Sequence, residues 1–122
     1  MSGKRVLVVD DHPVNRLLVS VMLREAGHEV GEAENGRQAL DKLHDQPWDI
    51  VLLDISMPDM SGDEVCRHIR ADDALKGLRV IAYTAHAMNG ERDQILASGY
   101  DGLLTKPISR ASLHAALGLT EQ

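Results

Sequence analysis

The chain has 122 residues, 43% of them hydrophobic, which suits one globular domain spanning residues 1–122 that buries its core without disulfides and leaves no room for a second. Nineteen acidic against 13 basic residues give a net charge of −6, which argues against the basic footprint of a direct nucleic-acid binder. The first apolar run, residues 6–9, is far too short for a signal core or a membrane span, and the single Cys66 fits a reducing compartment, so the chain reads as cytoplasmic without membrane contact.

Taken in order, the chain reads as a strand followed by a helix, five times over. Val6, Leu7, Val8 and Val9 form strand one, which ends in Asp10 and Asp11. After His12, Pro13 suits the first position of a helix whose Val14, Leu17, Leu18, Val21 and Met22 recur at i, i+3, i+4, i+7 and i+8 before Gly27 stops it. Strand two, about residues 29–33, is short and less apolar, as suits a sheet edge. Asn35 then caps a helix with Gln38 in the capping-box position and Ala39, Leu40 and Leu43 on its inner face. Residues 50–53 are strand three and deliver Asp54; Pro58 makes the next stretch a loop, and Ser61 and Glu64 form a capping box for a helix that buries Val65 and Ile69. Strand four, about residues 79–83, ends at Thr84. A helix with Ile95 and Leu96 runs to Gly99, strand five spans about 102–105 and ends at Lys106, and Ser109 caps a last helix with Leu113, Ala116 and Leu117.

Such alternation implies an α/β fold, a doubly wound, flavodoxin-like parallel sheet with five helices on its two faces. In such a sheet ligands bind beyond the carboxyl ends of the strands, where the strand order reverses. If the order is 2-1-3-4-5, strands one and three are neighbours about 4.8 Å apart and their acids meet at that point. Carboxylates crowded in this way repel one another unless a cation is present, and Mg²⁺, with its oxygen ligands and retained waters, resolves the conflict. Asp54 can then serve as a carboxylate nucleophile on a phosphoryl group, with Lys106 offsetting phosphoryl charge and the Thr84 hydroxyl donating to a phosphoryl oxygen.

Four motifs, VLVVDD ending at Asp11, IVLLDISMPDMSG around Asp54, the strand ending in Thr84-Ala85, and Lys106-Pro107, stand in order at strand ends. Together they resemble those of a two-component response-regulator receiver domain, over essentially the whole chain. The resemblance implies that Asp54 is the phosphoacceptor, that Asp11 binds Mg²⁺ directly and Asp10 through water, and that the Ser56 backbone carbonyl completes the protein ligands. Thr84 and Lys106 would sense the phosphoryl group, and the strand-four and strand-five face would move with them. The resemblance also implies its partners: a histidine kinase or histidine phosphotransfer protein as donor, and downstream effector or kinase domains as readers. As an isolated domain it would be no enzyme beyond catalysing its own phosphorylation and dephosphorylation. Receivers often carry an aromatic residue three positions before the lysine; here that position is Leu103. The Val14-Asn15 pair and the loop at 85–88 resemble receivers of hybrid histidine kinases more than those of transcription factors.

Two other functions fit less well. An aspartyl-phosphate phosphatase wants a second carboxylate two residues after the nucleophile, where Ser56 stands. A flavin or nucleotide binder wants a loop of backbone N–H groups after strand one, where Asp10-Asp11-His12-Pro13 would repel phosphate. His12 and His86 read as loop side chains near the pocket, and Asp59, Asp63, Asp72 and Asp73 as solvated acids at loops and helix ends.

Overall fold

A computed structural model describes residues 4–55, 57, 60–84, 89–105 and 108–117, and for 89–92 and 114–117 the backbone alone. Within them the order is β1 (Arg5–Val9), α1 (Pro13–Glu25), β2 (Glu29–Ala33), α2 (Gly36–Asp45), β3 (Ile50–Asp54), α3 (Gly62–Ala71), β4 (Arg79–Thr84), α4 (Asn89–Ala97), β5 (Gly102–Thr105) and α5 (Arg110–Leu117). All strand pairs are parallel, in the order β2-β1-β3-β4-β5. The reversal of direction lies between β1 and β3, as the alternation of elements leads one to expect.

Both faces of the sheet are covered, and strand alternation divides the core in two. Leu7, Val9, Val51, Leu53, Val80 and Ala82 point to α2 and α3, where they meet Ala39, Leu43, Val65 and Ile69. Val6, Val8, Ile50, Leu52, Ile81, Tyr83 and Leu104 point the other way, to Val19 and Leu23 of α1 and Leu113 of α5. A strand buried on both sides has no polar face to spare, which explains the unbroken apolar runs of β1 and β3. β2 lies at the edge and is only half-buried along most of its length. Among the described residues no helix is long and apolar enough to cross a membrane.

The caps follow the local chemistry. The Asn35 side chain accepts from the Gln38 backbone N–H at 2.8 Å, but the Gln38 side chain returns to the Glu34 N–H at 3.0 Å, one residue before the cap. Ser61 and Glu64 make a full capping box on α3. At α5 a serine takes the place of the usual acid: Ser109 Oγ accepts from the Ser112 N–H at 3.1 Å, and Ser112 Oγ accepts from the Ser109 N–H at 3.2 Å. Leu113 is buried; the Ala116 and Leu117 side chains lie outside the described set.

α1 departs from what its periodicity suggests. A stripe at helical spacing ordinarily faces the core, yet Val14 is 76% exposed and Leu17, Leu18 and Val21 also face solvent. Of the stripe only Met22 packs inward, beside Val19, Ser20 and Leu23. The first half of the inner face is polar because Arg16 is used there: its guanidinium donates to the Asp10 carbonyl at 2.7 Å and to Glu32 Oε1 of β2 at 3.1 Å.

Two of the acids read as solvated are engaged. Asp63 accepts from the hydroxyl of the buried Tyr100 at 2.9 Å. Asp72, at the end of α3, accepts from the Ala74 N–H and pairs with His44 Nε2 at 2.7 Å, joining α3 to α2. The hydrogen bond to Asp72 holds the His44 pKa above its ordinary value, and the same bond lowers that of Asp72. A raised histidine contributes its stabilisation below its unfolded value and loses it as pH rises; a lowered carboxylate contributes above its unfolded value and loses it as pH falls. The pair is therefore fully formed between about pH 4 and 6.5. Imidazole NMR titration is expected to place the His44 midpoint above that of a free histidine and to return it there in Asp72→Asn; equal midpoints in the two proteins would mean the pair does not persist in solution.

Candidate functional site

The site is built at the carboxyl rim of β1, β3 and β4. Val9 pairs with Leu53, which brings Asp10, one residue on, level with Asp54; Asp54 in turn pairs with Tyr83. Asp10, Asp54 and Tyr83 thus form one row across three neighbouring strands. By alternation their side chains share the face of Val8, Leu52 and Ile81.

Asp10 is fully buried and Asp54 is 2% exposed. Asp10 is firmly held: its N–H donates to the Ala33 carbonyl at 3.1 Å, its carbonyl accepts from Arg16, and its Oδ1 accepts from the His12 N–H at 2.9 Å. The last bond closes a turn that tips the chain from β1 into α1 and leaves Asp11 half-buried at the pocket. Donor atoms of Asp10, Asp11 and His12 lie within 4.8 Å of one another, and His12 Nδ1 is 3.7 Å from Asp11 Oδ1. His12, read as a loop side chain near the pocket, is exposed and lies beside Asp11.

Past Asp54, Ile55 and Met57 are each held in place. The Ile55 N–H donates to the Tyr83 carbonyl at 3.2 Å, and Met57 is buried against the α2 and α3 side of the core. Gly62 opens α3 against this segment. A Cβ on Gly62 would stand 2.7 Å from Ile55 Cα and 2.9 Å from the Asp54 carbonyl oxygen, both backbone atoms that cannot step aside.

Thr84 ends β4 and is buried, paired with Thr105 of β5. Leu103 is half-buried against the α2 and α3 cluster. Ser56, His86 and Lys106 lie outside the described residues. Of the sequence-derived site residues, Asp10, Asp11, Asp54 and Thr84 therefore meet at one rim.

Tyr83 was not among them. It is 2% exposed, and burial, followed by the Asp10 and then the Asp54 carboxylate, raises its hydroxyl far above the ordinary tyrosine value. The signal that could have found it is positional: it precedes Thr84 on a strand that neighbours β3, with the same parity as Asp54.

Chemically the rim offers two buried carboxylates, a third that is half-buried, and a buried threonine hydroxyl. A family model, that of the response regulator receiver domain, matches residues 6–118. The sensor protein GacS of Pseudomonas syringae is 44% identical over 112 residues, a match covering 89% of this chain and 12% of GacS. The chain thus spans about an eighth of that relative. DivK of Brucella anthropi, a polar-differentiation response regulator, is 37% identical over 87% of this chain and 86% of its own length. The receiver domain of a Pseudomonas aeruginosa sensor histidine kinase, solved with a magnesium ion coordinated in its active-site cleft, is 35% identical and superposes with a TM-score of 0.86 over 95% of both chains.

Gly62→Ala is expected to lower stability by about 1–3 kcal/mol, the usual effect of an added methyl that forces backbone to shift. Urea denaturation measures it, and a variant as stable as the parent would show that α3 does not start so close to Asp54.

Proposed function

This chain belongs to the response regulator receiver domain family, and so to two-component phosphorelay signalling; from that premise we propose that Asp54 accepts a phosphoryl group from a phosphohistidine donor in a magnesium-dependent step. The observation that carries this reading is a buried carboxylate on β3 with the acids of β1 level beside it. Asp10 and Asp54 are both desolvated, and charges in such a place demand a counter-charge. An all-oxygen set of acids fits Mg²⁺, and a neighbour of the same fold was solved with that ion. Asp10, Asp11, Asp54 and the Ser56 carbonyl would hold it, and the bound ion supplies neutralisation of phosphoryl charge.

One carboxylate oxygen of Asp54 attacks phosphorus. The new P–O bond forms as the P–N bond to the donor imidazole breaks, and that electron pair returns to the ring nitrogen. The Thr84 hydroxyl donates to a phosphoryl oxygen and Lys106 balances its charge. Later attack by water on phosphorus breaks the P–O bond to Asp54, frees inorganic phosphate and restores the carboxylate. The domain catalyses only these two steps on itself. Thr84 is bound edge to edge with β5, so a shift of its hydroxyl toward the phosphoryl group alters the β4 and β5 face that effector or kinase domains read. Leu103 carries its part of that change by aliphatic packing, with no ring to bury.

The exposed face of α1 supports the assignment of the donor. It begins at Val14, three residues after Asp11, and extends through Leu17, Leu18 and Val21 away from the rim. Apolar groups so placed gain by being covered, and a donor that brings its phosphohistidine to Asp54 must lie over this end of the sheet. A histidine kinase or histidine phosphotransfer protein is the matching partner. The higher identity to GacS than to DivK favours a parent hybrid histidine kinase, working in the cytoplasm.

A small-molecule phosphodonor with Mg²⁺ is expected to add one hydroxylamine-labile phosphoryl group per chain, and Asp54→Asn to abolish it. Labelling that survives in Asp54→Asn would move the acceptor elsewhere. Leu17→Glu with Leu18→Glu is expected to slow transfer from a protein phosphohistidine donor about tenfold or more, in line with a buried interface position. The same variant should accept phosphate from the small-molecule donor at the parent rate; equal slowing with both donors would remove α1 from the docking surface.

A further inference from the structure

We propose that Arg16 is a positioning residue of the acidic pocket: its guanidinium clamps the peptide between Asp10 and Asp11 and so fixes how the two carboxylates are presented to a cation. The inference deepens the proposed phosphoacceptor site and rests on the magnesium reading of it.

The chain that leads from β1 into α1 is held peptide by peptide. The Asp10 N–H donates to the Ala33 carbonyl at 3.1 Å, which anchors the turn to edge strand β2. The Asp10 carbonyl, which shares a planar peptide with the Asp11 nitrogen, accepts from Arg16 Nη1 at 2.7 Å. The His12 N–H donates to Asp10 Oδ1 at 2.9 Å, and the His12 carbonyl accepts from the Arg16 N–H at 3.0 Å. Arg16 thus holds this turn twice, once through its side chain and once through its backbone. Fixing the peptide between the two acids restricts the backbone angles on either side of it, and with them the directions of both side chains.

The place of Arg16 in the fold suits it to this task. It is the fourth residue of α1, and helical side chains lean toward the helix N-terminus, which aims this one back at the turn. It shares the inner face with the buried Val19, Ser20 and Leu23, and its own side chain is only 16% exposed. A cation so placed is costly unless it is matched, and Glu32 matches it. Glu32 Oε1 accepts from Arg16 Nε at 3.1 Å, and its Oε2 lies 3.8 Å from Arg24 Nη2. With Nε on Glu32 and Nη1 on the Asp10 carbonyl, two donors of one rigid plane are committed, and the guanidinium cannot turn away. A lysine, a point charge on a flexible stem, does not reproduce that fork.

Positioning and charge act with opposite signs here. Positive charge beside a cation site opposes binding, so by Coulomb's law alone the loss of Arg16 tightens Mg²⁺. Loss of the clamp instead loosens the two acids and weakens the ion.

Isothermal titration of the whole chain with MgCl₂ tests the proposal in the parent, Asp11→Asn, Arg16→Met, Arg16→Lys and Glu32→Ala, with melting temperatures taken in parallel without metal. Arg16→Met keeps the stem and loses the donors; it is expected to weaken Mg²⁺ binding about tenfold, as loss of a group that orients metal ligands does. Arg16→Lys keeps the charge without the fork and is expected to bind more weakly than the parent, which keeps the test open if Arg16→Met does not fold. Glu32→Ala breaks the tie from α1 to β2 but leaves the contact to the Asp10 carbonyl; it should melt lower than the parent yet bind Mg²⁺ nearly as well. Parent-like or tighter binding in Arg16→Met overturns the proposal, as does parent-like binding in Arg16→Lys. A loss in Glu32→Ala equal to that in Arg16→Met overturns it too, because the tie between α1 and β2 would then govern affinity. Absence of Mg²⁺ binding by the parent, or its survival intact in Asp11→Asn, overturns the magnesium reading and the proposal with it.

Discussion

Two carboxylates buried at the ends of apolar strands set the terms for the rest of this molecule. Asp10 and Asp54 stand where the hydrophobic interior of a parallel sheet gives way to its rim, on adjacent strands and at the same level. A charge withdrawn from water is costly unless it is hydrogen-bonded or neutralised. Fixed donors hold Asp10 in place: the turn that sets the His12 N–H on its carboxylate, and the Arg16 guanidinium that ties its carbonyl to α1. The residual negative charge is of the kind that a hard divalent cation neutralises.

The same constraint explains why the sheet is parallel and covered on both sides. Right-handed crossovers return every strand in the same direction, so all loops that come after strands gather at one edge. Asp10, Asp54 and Thr84 each end a strand, and the topology alone brings them together. Anchoring at the opposite edge and around α3 is structural. Arg70 donates to the Gly99 and Leu78 carbonyls and to Asp101, which also receives the Val80 N–H, locking α3 to β4 and to the start of β5. Cys66, buried among these elements, has its thiol pKa raised chiefly by desolvation and is thereby kept unreactive.

α1 shows that a periodicity identifies a helix without saying what its apolar face meets. Apolar residues at i, i+3, i+4 and i+7 announce a helix with a hydrophobic face, and the helix is there. Periodicity says nothing of whether that face meets the protein's own core or another molecule. Here the core side is taken by Val19, Leu23 and the polar Arg16, because Arg16 is needed at Asp10 and Glu32. The stripe is left outward, next to the acids, where it suits a docking protein. Asp63 and Asp72 teach the complementary lesson: an acid at a helix end is normally solvated, but a tyrosine or histidine from a distant element can claim it.

The sequence by itself determined the elements, their order and the identity of the acids. Strand cores of unbroken Val, Leu and Ile, caps at Asn35, Ser61 and Ser109, and carboxylates placed straight after apolar runs are local signals, each legible within a few residues. Family likeness in the motifs then named the chemistry. Only the tertiary packing settled which side of α1 is exposed and that Tyr83 stands level with Asp54. Those facts depend on strand register and on the packing of segments far apart in the chain, and a linear pattern carries no distance between segments until the sheet has brought them side by side.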